Sequence, residues 1–293
     1  MDSCFRMLRF LYFTLPLVQR GWGDINEPSS IAQLDNLHVK PMLVEEEAIV
    51  RITQSILQRE KPWQNFLVEG DIIKPLWWNT GTSKTQIWHK SPDGVVRIPY
   101  EISPEYDEWT WGAISRGFGD FEKFTCVRFV PHTDEEDFIS IQPIHGCYAP
   151  VGRVGGMQLI SLNQQCLTKG KGVVEHELMH SLGFWHEHTR SDRDKYIKIG
   201  WKNVRPGYEH NFLKKNTNKL KSKYDYGSIL HYSRSAFSRN GQPTLTPLME
   251  TDAVIGQRVG LSELDLLKVN RLYNCSAPLK TQAKSKTPRN QCF

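Results

Sequence analysis

The chain has 293 residues, 39% of them hydrophobic, enough for a real core in one large domain or two small ones. The net charge of +5 is mild, and the basic residues are scattered apart from the tail Lys280, Lys284, Lys286 and Arg289, which argues against a nucleic-acid partner. Beyond the N-terminus no run is apolar over a bilayer's width, so no transmembrane segment is expected.

Arg6 and Arg9 precede an apolar run from Phe10 to Val18 and then the small residues Gly21 and Gly23. That order predicts a signal peptide over residues 1–24, and with it secretion. Leu43, Ile49, Ile52, Ile56 and Leu57 recur at helical spacing and predict a helix over residues 43–60, ended by Pro62. From Val95 the pattern turns strand-like, with Val96, Ile98 and Tyr100 facing one way. A helix is expected over residues 107–123, followed by strands over 127–130, 138–144 and 157–162. The last of these is expected to be an exposed sheet edge that could hold an extended peptide. Gly170 and Gly172 precede a helix over residues 173–181, and a final helix is expected over 262–273. Between them the chain is irregular, rich in charge and turns. The outline is α+β: a strand-and-helix N-terminal half, an irregular C-terminal subdomain, and a cleft between the two beneath the helix at 173–181.

That helix carries His176 and His180, four residues apart and therefore stacked on one face, where they can share a metal ion. Glu177 can point at a water rather than at the metal. Gly183 lets the chain turn out of the helix and bring back His186 as a third imidazole. Three neutral nitrogens with one position open describe a catalytic zinc site, whereas a structural site is closed by four protein ligands. The whole run His176-Glu177-Leu178-Met179-His180-Ser181-Leu182-Gly183-Phe184-Trp185-His186 carries the metzincin signature of a zinc peptidase.

From Val68 to Ser276 the chain resembles the astacin family of zinc endopeptidases. The likeness rests on that motif with Glu187 directly after it, Phe184-Trp185, the run Thr189 to Asp194, Tyr224-Asp225-Tyr226, His231-Tyr232 and Ile255-Gly256-Gln257-Arg258. It implies a zincin-like two-subdomain catalytic domain with a mixed sheet. It also implies one zinc ion held by His176, His180 and His186, Glu177 as general base and Tyr232 as stabiliser of the transition state. Glu187 would be structural, and Leu230 stands where the family has a methionine beneath the zinc. Arg258 would line the pocket for the residue after the cut bond and favour Asp or Glu there (the P1′ position).

The resemblance further implies a zymogen. Gly70-Asp71 matches an aspartate switch in which a pro-segment carboxylate takes the open zinc position, although Val68 stands where the family has phenylalanine. The expected division is a pro-segment over residues 25–78, a peptidase domain over 79–276 and a disordered basic tail over 277–293. The family's basic residue before the new N-terminus is replaced by Trp78, so an activating protease could use Lys74 or Lys84. Of the six cysteines Cys4 leaves with the signal, and the four at 126, 147, 166 and 275 allow three pairings. The resemblance selects Cys126–Cys275 and Cys147–Cys166 and leaves Cys292 unpaired. Segments such as Val68 to Ile73 and Pro243 to Leu248 point to the egg-coat and hatching members of the family. These imply a protein substrate, an egg-coat glycoprotein, and storage in cortical granules before release. The alternatives are a hatching or matrix-processing member with other substrates, or a catalytically weak zinc-containing binding protein.

Overall fold

The structure is a computed structural model and describes residues 66–74, 86–168, 170–217 and 219–276. The expected signal peptide, the helix at 43–60, the boundary near Asn79 and the basic tail lie outside these residues. Among them no helix is long and apolar enough to cross a membrane.

A mixed seven-stranded sheet carries the N-terminal half. In chain order its strands are β1 (Leu67–Val68), β2 (Ile72–Ile73), β3 (Val96–Ile102), β4 (Val127–Pro131), β5 (Phe138–Gln142), β6 (Cys147–Pro150) and β7 (Met157–Leu162), arranged β1-β2-β6-β7-β5-β3-β4. Strands β3, β4, β5 and β7 run parallel, while β6 turns back antiparallel to β7. The expectation of an exposed edge at residues 157–162 is therefore corrected: β7 lies inside the sheet. Ser161 and Leu162 pair with Tyr148 and Cys147, and β2 then adds to the far side of β6 in parallel. The strand expected over 138–144 stops at Gln142.

Helix α1 (Glu108–Phe124) starts where Asp107 accepts a hydrogen bond from the Thr110 amide, and Glu108 and Lys123 suit the two ends of its dipole. Thr110, Ala113, Ile114, Gly117, Phe118 and Phe121 recur at three- and four-residue steps and form its buried face. The aromatic members pack on the sheet, with the rings of Phe118 and Phe129 stacked at 4.4 Å. A short helix α2 (Gln164–Leu167) leads into α3 (Lys171–Ser181), whose residues from Gly172 onward are all buried. Gly172 lies inside α3 rather than before it. The helix starts at Lys171 because Gly170, at φ 80°, supplies the left-handed turn that redirects the chain.

Two hydrophobic cores result. The larger lies between the sheet and α1 and α3 and includes Leu178, Met179, Ile229 and Leu230. The smaller gathers Ile197, Phe212, Tyr224, Tyr232 and Leu245 in the C-terminal half, around the hairpin of β8 (Ile197–Ile199) and β9 (Leu245–Pro247). The turn from Ser228 to Tyr232 crosses from one core to the other. Helix α4 (Glu263–Leu272) closes the domain, capped by a reciprocal Ser262–Asp265 pair. Disulfides join Cys126 to Cys275 and Cys147 to Cys166, the pairing that the resemblance implied.

Candidate functional site

The turn at Ser228–Tyr232 contributes to both cores and meets α3, where the Ile229 carbonyl faces His176. His176 and His180 project from one face of α3, as their spacing requires. The helix stops at Ser181, and Gly183, at φ 107°, swings the chain back so that His186 returns to the same point. All three rings are buried. Their outer nitrogens are committed: Nδ1 of His176 donates to the Ile229 carbonyl (2.8 Å), that of His180 to the Phe184 carbonyl (2.7 Å), and that of His186 to Glu69 Oε2 (2.8 Å). This fixes the tautomer and turns every Nε2 inward.

The Nε2 atoms of His176 and His180 lie 3.2 Å apart. Asp71 reaches the same point, with Oδ2 3.0 Å from His176 Nε2 and Oδ1 3.2 Å from His186 Nε2. One ligand atom from each of Asp71, His176, His180 and His186 lies within 4.8 Å of all the others. Inward-facing lone pairs so close together, with a carboxylate among them, repel one another unless they share a cation. Three imidazoles and one carboxylate are a donor set that suits zinc, and an all-oxygen cation such as calcium or magnesium fits poorly. The electrostatics agree. Burial, followed by the charge of Arg258, pushes His176 down to about 4. Burial also disfavours charge on His186, but the charge of Asp71 and hydrogen bonds to Asp71 and Glu69 outweigh it and push that ring up to about 9. Burial likewise opposes ionisation of Asp71, yet His186 and His176 together hold its carboxyl well below the usual range. Burial, followed by the charges of His186 and His176, holds His180 low as well, so His176 and His180 stay neutral, as metal ligation requires.

Glu177 sits beside these ligands without joining them. It is buried, its Oε2 has no hydrogen-bond partner among the described residues, and burial, reinforced by the charge of Asp71, raises its proton affinity well above the ordinary carboxyl value. Tyr232 approaches from the smaller core, its ring 4.7 Å from that of His186 and 3.7 Å from that of His188. Its hydroxyl donates to the Glu69 carbonyl. Leu230 is buried in the larger core, and its carbonyl accepts from the Glu187 amide at 3.1 Å. Arg258 Nη1 donates to the carbonyls of His231 (3.2 Å) and Gln257 (2.8 Å), and neither Asp252 nor Asp265 is paired with it. Glu187 is buried in a charge network, accepting from Arg190 (3.0 Å), Lys268 (2.6 Å) and the Asp225 amide (2.9 Å).

Three supporting residues escaped the sequence reading. Asp265 is fully buried and accepts from Ser228 Oγ (2.6 Å) and the Ile229 amide (2.8 Å), so α4 anchors the turn beneath the histidines. Glu69 lies two residues before Asp71, but nothing local reveals that its carboxylate reaches His186. Lys215, 3.1 Å from Glu69 Oε1, is far from any motif in sequence.

The profile of the astacin peptidase family matches residues 81–274. The chain is 48% identical to an astacin-like metalloendopeptidase of Mus musculus over 79% of its own length, and spans 53% of that relative. It is 38% identical to the low choriolytic enzyme of Oryzias latipes, with 79% of this chain and 87% of that one covered. Among solved structures, high choriolytic enzyme 1 of Oryzias latipes, a hatching-enzyme zinc protease, superposes with a TM-score of 0.62 at 46% identity, over 65% of this chain and 95% of that one. A family match over most of the domain, with the histidine cluster assembled as its motif requires, leads to one conclusion: the chain belongs to the astacin family of metalloendopeptidases.

Proposed function

We propose that this chain is a secreted zinc endopeptidase held latent by its own residues 66–74. The observation that carries the reading is the convergence of three Nε2 atoms whose Nδ1 partners are already spent. His176, His180 and His186 would hold a zinc ion, which when bound would supply Lewis acidity for peptide hydrolysis.

The chain's own groups do the rest. Glu177 takes the proton of the attacking water, holds it, and passes it to the leaving amine. Burial first, and the charge of Asp71 second, raise its proton affinity, and departure of that carboxylate removes the second cause. Tyr232 donates its hydroxyl hydrogen to the developing oxyanion. The bond it now makes to the Glu69 carbonyl has the same sense, a hydroxyl presented to a peptide oxygen in the cleft. Arg258 offers a guanidinium for an acidic side chain at P1′. Asp71 stands among the three histidines as a fourth donor, and would keep the chain silent until the segment is cut away. Residues 25–78 form the pro-segment on this reading, residues 79–276 the peptidase domain, and residues 1–24 the signal for secretion.

Relatives named as choriolytic enzymes support an egg-coat glycoprotein as the substrate. The test is to activate the chain with trypsin and incubate it with purified egg-coat proteins, with and without chelator. Cleavage is expected only without chelator, and Glu177→Gln should lose about 10³-fold or more in kcat while keeping one zinc per chain. Normal turnover by Glu177→Gln, or a metal-free wild type that cleaves equally well, refutes the mechanism. A peptide library should return Asp or Glu at P1′ and lose that preference in Arg258→Ala.

A further inference from the structure

Residues Glu69-Gly70-Asp71 touch the cleft at three points. Two have been described: the Glu69 carbonyl at Tyr232 and the Asp71 carboxylate among the histidines. The third is the Glu69 side chain. It is only 2% exposed, and its two oxygens are divided between His186 Nδ1 (2.8 Å) and Lys215 Nζ (3.1 Å). A buried carboxylate is tolerated only where it is paired, so this position is a socket for negative charge.

The socket is built into the enzyme rather than into the segment. Lys215 lies beside the metal-binding loop, where its amide donates to the Thr189 carbonyl at 2.6 Å and its backbone bridges Arg190. Its ammonium sits 4.1 Å from the centre of the Trp185 ring, a cation–π contact that holds the charge in place. Glu69 meets it only by taking a left-handed backbone, φ 52°, which is costly for a non-glycine residue. The next residue, Gly70 at φ 85°, lies against Phe237, whose Cζ would be 2.6 Å from any Cβ there. Such a conformation persists because the contacts around it hold it.

We propose that Lys215, backed by Trp185 and His186, is a specificity-determining subsite for an acidic side chain of the substrate, distinct from Arg258, and that Glu69 is its built-in occupant. The inference rests on the peptidase reading above. The segment thus imitates a bound acidic peptide at three places, and its removal turns the Lys215 socket over to substrate. The two cations belong to different loops, so their preferences fall at different substrate positions.

The first test uses the full chain carrying Glu177→Gln, so that no self-cleavage intervenes, and reads amide hydrogen exchange over residues 71–74 in a double-mutant cycle. E69Q should speed exchange by about tenfold or more, since it breaks a charge-assisted pair. K215Q should speed it less, and the double variant should exchange no faster than E69Q alone. Rates that simply multiply would mean the two side chains act independently, which overturns the pairing. The second test uses trypsin-activated chain and matched Glu and Gln peptides scanned through the positions flanking the cut. K215Q should lower the Glu-over-Gln ratio of kcat/KM about tenfold at one position, K215R should keep it, and Arg258→Ala should alter a different position. A ratio that K215Q leaves unchanged at every position overturns the subsite even if the exchange cycle succeeds. If wild-type activated chain cleaves none of the peptides, the peptidase reading falls and the subsite with it, while the exchange cycle still reports on the pair.

Discussion

Gly172→Ala is expected to destabilise the domain although alanine is the better helix former. Gly172 is the second residue of α3, and an added Cβ would stand 2.0 Å from the Arg258 carbonyl oxygen and 2.4 Å from its carbon. Ordinary contact begins near 3.4 Å, so helix and loop would have to part by about 1.4 Å. The obstacle is main chain, which no rotamer change can clear. The loop is also pinned, because the Gln257 side chain donates to the carbonyls of Gly227 and Gly260, both at 2.8 Å. Helix propensity returns about 1 kcal/mol. Overpacking costs about 1–3 kcal/mol, and a backbone overlap this deep belongs at or above the upper end. The net loss is about 2 kcal/mol, a fall of about 4–8 °C in Tm for a domain of this size. Calorimetry and urea unfolding on the Glu177→Gln background would measure it, with Gly119→Ala in α1 as the control. No atom lies within 4 Å of a Cβ at Gly119, so that variant should gain about 0.5–1 kcal/mol. A Gly172→Ala variant as stable as wild type, or more so, would refute the reasoning.

Asp265→Ala strands the buried Ile229 amide and Ser228 hydroxyl, at an expected cost of about 3 kcal/mol or more. Because the Ile229 carbonyl aims His176, the same variant should bind zinc more weakly in a chelator competition. Leu230→Met exchanges side chains of similar volume and should change stability by less than about 1.5 kcal/mol, with kcat/KM within about tenfold of wild type. A rise of several orders of magnitude from an almost inert parent would instead mark the native site as degenerate. Asp71→Ala should cleave a fluorogenic peptide before any activation, where the parent is silent; an equally silent variant would refute the switch.

The three histidines were legible because they are local: His176, Glu177, His180, Gly183 and His186 fit within one helix and the turn that ends it. Helices α1 and α4 were equally plain, since each has a capping side chain and a one-sided apolar face. The start of α3 was misplaced for a related reason. A helix buried on all sides has no apolar stripe, and its glycine, an apparent breaker, is required by a neighbouring carbonyl. The sheet was harder to read. Strand β6 is four residues long, and β1 and β2 are two each, too short to leave a period in the sequence, and β2 joins the sheet only through β6, far along the chain. That is why β7 resembled an edge. Asp265 acts on residues 36 and 37 positions away, Glu69 and Lys215 across more than 100, and only the folded arrangement reveals them.

The three imidazoles are unequally tethered. Two are aimed by main-chain oxygens, at Ile229 and Phe184, while the third is steadied by the Glu69 carboxylate, on the segment proposed to be removed. On the latency reading, excision would therefore do more than unblock the site: it would oblige one ring to find a new outer anchor. Maturation and the tightness of the grip on a metal ion would then be coupled through a single nitrogen.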